Sequence, residues 1–407
     1  MKNILRFGLI LLAAVVTSCH KDLDRFPPNS FTSTEVYATE EGYTQVLAKI
    51  YGSMALTGNS GPAGAGDVAG IDEGTSDFLR LFWKAQELPT DEAVVTWNDP
   101  GIQDFHNMNW ASTNPMLNGL YNRCFYIITL ANEFLRESTP EKLSSRSLGS
   151  AAENIKTMRA EVRFVRAFQY WVLMDLFANP GFVNESVLPG TKEAPNQITR
   201  ANLFRFVEAE LKAIEPDLSN ARTAAYGRAD KAASWALLAR IYLNAEVYTG
   251  TARWADAISH AQRVITAGYS LMPVYGHNFL ADNNMNNTEF IWTLNYDGVN
   301  TRNFGGTTFL VNGSVNGESA AQKDLQGLSG WSGLRRGAAS AATKRCFRID
   351  QVHLSQPENR EINIGEGAVG IFAIVAGACT VAVFGNSVTV CELADVCDFS
   401  VLSLREK

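Results

Sequence analysis

Three short phrases of the chain set a flat aromatic ring beside side chains that can hydrogen-bond hydroxyl groups. They are Trp97-Asn98-Asp99, Asn295-Tyr296-Asp297, and Trp331 among glycine and serine. A ring face can stack on the C–H groups of a pyranose while neighbouring amides and carboxylates bind its hydroxyls. The candidate ligand-binding residues are therefore Trp97, Asn98, Asp99, Tyr296 and Trp331. The competing assignment for each ring is a place in the core, and the sequence leaves that open. Trp171, Trp235 and Trp254 fall on helical stripes and are expected to pack, whereas Trp83, Trp110 and Trp292 are undecided.

Catalytic and metal chemistry find little support. His20, His106, His260, His277 and His353 form no pair at metal-ligand spacing, and no Gly-x-Ser-x-Gly elbow occurs. The glycines from Gly64 to Gly70 have the wrong spacing, and no preceding strand, for a dinucleotide loop. Asp91 and Glu92 are adjacent and would diverge on a helix, which suits surface or capping residues better than a facing carboxylate pair. The cluster Asp282-Asn283-Asn284 with Asn286-Asn287 offers oxygen ligands but lacks the spacing of a dedicated calcium loop, so a solvated turn is expected. No catalytic residue, cofactor or metal is expected.

The chain opens with Lys2 and Arg6, an apolar run from Leu9 to Val16, and Thr17-Ser18 before Cys19. That run falls short of the ~20 residues that cross a bilayer and reads as a secretory signal, residues 1–18. Its end has the pattern of a bacterial lipoprotein signal, which makes Cys19 the expected lipid anchor and 19–34 a linker. The formal charge of −7 becomes −9 once the signal is removed, since it takes away Lys2 and Arg6 and no acidic residue. Nucleic acid and polyanions are therefore poor ligands.

The elements that must position the aromatic phrases are mostly helical. Ile155, Met158, Val162, Val165, Phe168, Val172 and Leu176 step by three or four until Asn179-Pro180 stops them. Phe204, Val207, Leu211 and Ile214 form a second stripe before Pro216. The helix around Ala232, Ala236, Ala239 and Leu243 is apolar nearly all round and should be deeply buried. Trp254, Ile258, Ala261 and Ile265 precede Gly268, which is well placed just past a helix end. Earlier helices are expected near 35–53 and 115–136. Short breaks and small alanines point to tetratricopeptide-like hairpins. Long irregular stretches are expected at 54–76, 94–114 and 272–334.

Several phrases resemble the SusD/RagB family of lipoproteins. Lys21-Asp22-Leu23-Asp24 follows the anchor cysteine, and Thr90-Asp91-Glu92 precedes Trp97. Ala160-Glu161-Val162-Arg163 opens a family helix motif, and Gly227-Arg228-Ala229-Asp230-Lys231 is the most specific phrase. Trp254-Ala255-Asp256-Ala257, Gly268-Tyr269-Ser270-Leu271 and Gly330-Trp331-Ser332-Gly333-Leu334-Arg335 complete the order. The resemblance covers 19–335 and implies a mostly α fold of tetratricopeptide-like hairpins with long irregular loops, and a glycan-binding domain over 35–335 whose C-terminal part is incomplete. It further implies a non-catalytic, surface-exposed protein, lipid-anchored to the outer membrane, that captures oligosaccharides and hands them to a SusC-like TonB-dependent transporter. A helical interaction lipoprotein that binds a protein partner without sugar, or a disrupted, non-functional product, are the alternatives.

Near residue 335 the text changes. Every Trp and Tyr lies at or before position 331, while Cys346, Cys379, Cys391 and Cys397 all come later. The segment 336–407 is expected to stand apart from the domain. A shifted reading frame would account for it, and a divergent β-rich tail, with strand-like composition over 371–383, is the alternative.

Overall fold

The computed structural model describes residues 32–59, 66–315 and 330–336, with the backbone of strand segments at 368–372, 379–384 and 387–392. The signal 1–18, the anchor Cys19 and most of the segment after 336 lie outside the described residues. Among those described, no helix is long and apolar enough to cross a membrane.

The body is helical, as expected. In chain order come α1 (Ser33–Val36), α2 (Glu40–Ala55), α3 (Phe78–Glu87), β1 (Ala93–Val95), α4 (Ile102–His106), α5 (Pro115–Glu137) and α6 (Pro140–Ser145). They are followed by α7 (Ala152–Phe177), α8 (Arg200–Ile214), α9 (Lys231–Leu243), α10 (Ala245–Thr249), α11 (Trp254–Thr266), α12 (Gly306–Ser314) and β2 (Leu334–Arg336). The tail contributes β3 (Ala368–Phe372), β4 (Cys379–Phe384) and β5 (Ser387–Glu392), an antiparallel meander in the order β3-β4-β5. The stretch 272–334 is less irregular than its Asn and Gly content suggests, since it holds α12 and a 3-10 turn at Tyr275–Phe279.

Helix α7 is the axis of the core. It was expected to bury one stripe, yet every residue from Phe164 to Met174 is buried. The reason is its neighbours: α5 packs on one side, α8 on another, and α2 on a third. The helix ends at Ala178, held at φ 58°, because Pro180 bars Asn179 from continuing the helical backbone. The small residues Ala257 and Ala261 are buried where α11 packs on α9. Gly268 takes φ +89° just past α11, as its position predicts.

The phrase Gly227-Arg228-Ala229-Asp230 is a clasp. Gly227 takes φ +81°, and a Cβ there would lie 2.1 Å from the Asn295 side chain. The Arg228 guanidinium grips the buried Glu161 carboxylate on α7 through two bonds of 2.9 and 2.6 Å. Tyr51 of α2 donates to the same carboxylate at 3.0 Å and accepts from the Ala229 amide at 2.9 Å. Asp230 caps α9 by accepting from the Ala232 and Ala233 amides. Three helices are tied by one short loop.

Helix α3 went unread in the sequence. Its Phe78, Leu81 and Phe82 enter the core, but Arg80, Lys84 and Glu87 on the opposite side are buried too. Phe309 of α12 covers two of them: the Arg80 guanidinium lies 4.6 Å from its ring centroid, and the Lys84 ammonium 5.7 Å. Lys84 has no exposed surface and bonds to Met116 Sδ at 3.8 Å. Burial, and then Arg80, push its ammonium down to about 7 from its ordinary 10.5.

Two predictions follow from these charges. Arg228→Met should cost about 3 kcal/mol in denaturant unfolding, because it strands a buried carboxylate, and adding Glu161→Gln should recover part of it. A loss within about 0.5 kcal/mol would show that the clasp contributes little. For Lys84, the folded state releases its proton near pH 7 while the unfolded chain holds it to about 10.5. The unfolded state binds more protons in that window, so stability rises with pH across it. Lys84→Met should therefore raise the melting temperature most below pH 7, with the gain shrinking towards pH 10. A gain independent of pH would contradict the buried, unpaired charge.

Candidate functional site

The sequence places β1 and β2 far apart, and the fold joins them. Ala93 pairs with Arg336, Val94 with Arg335 and Val95 with Leu334 in an antiparallel ladder. The ladder thus runs one residue into the segment assigned to the tail. It continues at Thr96, whose amide donates to the Gly333 carbonyl at 2.7 Å. Trp97 follows immediately and lies flat on the Gly333 backbone, where a Cβ would sit 1.8 Å from its ring. Only glycine admits that approach.

Trp331 arrives at the same place from the other strand. Its amide donates to Asn312 of α12 at 2.7 Å, and its carbonyl accepts from Trp97 Nε1 at 3.4 Å. The two indole rings are tilted neighbours at 6.2 Å, and Phe304 stands edge-on to Trp331 at 6.1 Å. Phe309 lies 6.1 Å from Trp97 and 5.5 Å from Trp83. Trp97 and Trp331 are half-buried, and Phe304 is 38% exposed, so this cluster keeps an aromatic surface open to solvent.

Tyr296 is tied to the heads of α3 and α12. It donates to Asp77 at 3.2 Å, and its ring fills the space where Gly306 would carry a Cβ. Burial and then the Asp77 charge hold this phenol well above its ordinary range. Asn98 is exposed and Asp99 half-buried in the turn that leads into α4, where the Asp99 carbonyl accepts from the Ile102 amide. Both stand beside Trp97 in the chain. The flanks of Tyr296 are engaged locally. Asn295 bonds to Thr293 and to the Tyr226 carbonyl, and Asp297 accepts from the amides of Val299, Asn300 and Thr301. Those bonds, with Thr301 foremost, hold the Asp297 carboxyl far below its usual range.

Sequence reasoning missed Asp77, Arg80, Phe304 and Phe309. The Arg80 guanidinium donates to the carbonyls of Gly74 and Phe304 at 3.0 and 2.9 Å and lies 5.7 Å from the Trp97 ring centroid. Phe304 precedes Gly305-Gly306, a pairing that could have marked a close approach. Asp77 directly before an apolar run was a helix-start signal.

The other tryptophans divide. Trp171 is buried as expected, and Trp235 is half-buried in a small cluster with Ala232 and Val264. Trp254 is not a packing residue: it is 57% exposed at the first position of α11, while Ala257, Ala261 and Val264 make the buried face. Trp292 is buried against Phe164 and Phe168, and Trp110 stands exposed beside Phe105. The 282–287 cluster forms a turn in which Asn283 and Asn287 each donate to Asn278, to its carbonyl and to its side-chain oxygen. Among the described residues, no group of three or more His, Cys, Asp or Glu could hold a metal ion. A separate small apolar cleft, lined by Phe164, Phe168, Leu237, Arg240 and Trp292, contains none of the predicted ligand residues.

Residues 83–243, from α3 to the end of α9, match a SusD-like family described as starch-binding and associating with the outer membrane. The chain is 36% identical over 337 residues to the starch-binding protein SusD of Bacteroides thetaiotaomicron. That alignment takes in 82% of this chain and 57% of the relative, so the chain spans little more than half the relative's length. A SusD-like carbohydrate binding protein of Bacteroides fragilis NCTC 9343 superposes with a TM-score of 0.55 at 19% identity, over 74% of this chain and 52% of the other. A SusD superfamily protein of Bacteroides vulgatus ATCC 8482 gives 0.56 at 15% identity, over 75% and 57%. These two likenesses are of fold. With the identity to the starch-binding relative, the family match over residues 83–243 leads to one conclusion: this stretch carries the sequence of the SusD-like family, and the chain has the fold of SusD-like proteins.

Proposed function

We propose that the chain is a non-catalytic glycan-binding lipoprotein. Its ligand stacks on the open aromatic surface of Trp97, Trp331 and Phe304, with Asn98 and Asp99 beside it and Tyr296 at the heads of α3 and α12. The observation that carries this reading is the Trp97–Trp331 pair, seated on Gly333 and fixed through backbone bonds to β1, β2 and α12. A rigid ring face meets a sugar with little entropy to lose, and polar neighbours supply orientation. The starch-binding activity named for the relative supports an oligosaccharide as the ligand class.

The protein would be anchored through Cys19 to the outer membrane, surface-exposed, and would pass the captured oligosaccharide to a SusC-like TonB-dependent transporter. The outer-membrane association in the family's description supports that location. The glycan-binding unit would occupy 35–335, with the segment after 336 standing apart.

Trp97→Ala should weaken oligosaccharide binding in calorimetry by at least fivefold, about 1 kcal/mol for a lost stacking face. No product should be released from any glycan in the panel. Wild-type affinity in the variant, or cleavage, would count against the assignment. Cys19→Ala should move the protein out of the membrane fraction on cell fractionation, and unchanged membrane association would remove the anchor from the account.

A further inference from the structure

The Asp77 carboxylate has no exposed surface, yet no side-chain cation holds it within hydrogen-bonding distance among the described residues. Four donors converge on it, one from the first turn of its own helix and three from the segment 296–306. The Arg80 amide donates to Oδ1 at 2.7 Å and the Gly306 amide at 3.1 Å. The Tyr296 hydroxyl and Asn303 Nδ2 donate to Oδ2, each at 3.2 Å. Every one of these neighbours donates, so only a carboxylate satisfies them all. Space enforces the arrangement as strongly as the hydrogen bonds do. A Cβ on Gly305 would lie 2.3 Å from Asp77 Cγ, and one on Gly306 would lie 2.2 Å from the Tyr296 ring.

We infer that Asp77 is a positioning residue of the ligand site, acting through Tyr296 and the start of α12 without touching the ligand. The inference rests on the proposed glycan-binding function. Asp77 is the N-cap of α3, the helix that sends Arg80 towards Trp97, and it fixes the N-terminal amide of α12, the helix whose Asn312 holds Trp331. One buried carboxylate therefore sets the mutual placement of Tyr296, Trp97 and Trp331. Because the Tyr296 hydroxyl is spent on Asp77, its ring, and not its O–H, is left for the ligand.

The test uses Asp77→Asn, Tyr296→Phe and the double variant of the full chain, with maltoheptaose as the probe. Asparagine keeps one oxygen for the two backbone amides but presents an NH2 group to Tyr296 and Asn303. Each single variant should bind maltoheptaose at least fivefold more weakly, and the double variant should be no weaker than the worse single. Wild-type affinity in Asp77→Asn with only a lowered melting temperature would overturn the inference, as would losses that multiply fully in the double variant. Should Asp77→Asn fail to fold, Tyr296→Phe decides alone: weaker binding at an unchanged melting temperature supports the inference, and wild-type affinity overturns it. A ligand-free arm separates this inference from the function it rests on. The near-ultraviolet circular dichroism of the aromatic cluster should change in Asp77→Asn without any sugar. Absence of maltoheptaose binding by the wild type counts against the proposed function, while an unchanged spectrum counts against Asp77.

Discussion

Buried charge that must be satisfied locally governs how this chain holds together. The Glu161 carboxylate on the core helix α7 is reached by Arg228 and Tyr51, and that one contact ties α2, α7 and the loop that starts α9. A second buried carboxylate, Asp77, gathers the head of α3, the Tyr296 segment and the head of α12. Between them lies an apolar core built on α7, which tolerates these groups only because donors saturate them. Among the described residues Lys84 is one exception, a buried ammonium facing a thioether and an aromatic ring.

The aromatic site inherits its rigidity from this arrangement. Trp97 is positioned by β-pairing across more than two hundred residues of chain, and Trp331 by the last turn of α12. Arg80 completes the frame by bonding to the carbonyls of Gly74 and Phe304 below the indole of Trp97. The site is thus a product of long-range contacts between short, locally unremarkable phrases.

That explains what the sequence revealed and what it did not. The helices α7, α8, α9 and α11 were legible because their apolar residues recur at helical spacing and their ends carry Pro180, Pro216, Asp230 and Gly268. Helix α3 was hidden because its apolar residues at 78, 81 and 82 are interleaved with charges that are also buried, which breaks the one-sided pattern. Helix α12 was hidden by two glycines and two adjacent threonines in nine residues, a composition that reads as loop. Trp254 misled because helical spacing does not say which stripe faces inward. Of the site, the aromatic phrases could be picked out by their polar neighbours, but nothing local showed that Trp97 and Trp331 meet on Gly333. In the tail, the strand-like run 371–383 corresponds to the end of β3 and most of β4.

The most direct test of the account is to watch the tryptophan indole N–H signals while an oligosaccharide is titrated in. The chain has eight tryptophans, and each supplies one reporter in a nitrogen-correlated spectrum. The account predicts that the signals of Trp97 and Trp331 shift together and saturably, while those of Trp171 and Trp292 in the core stay in place. Shifts confined to the exposed Trp110 or Trp254, with Trp97 and Trp331 unmoved, would contradict it.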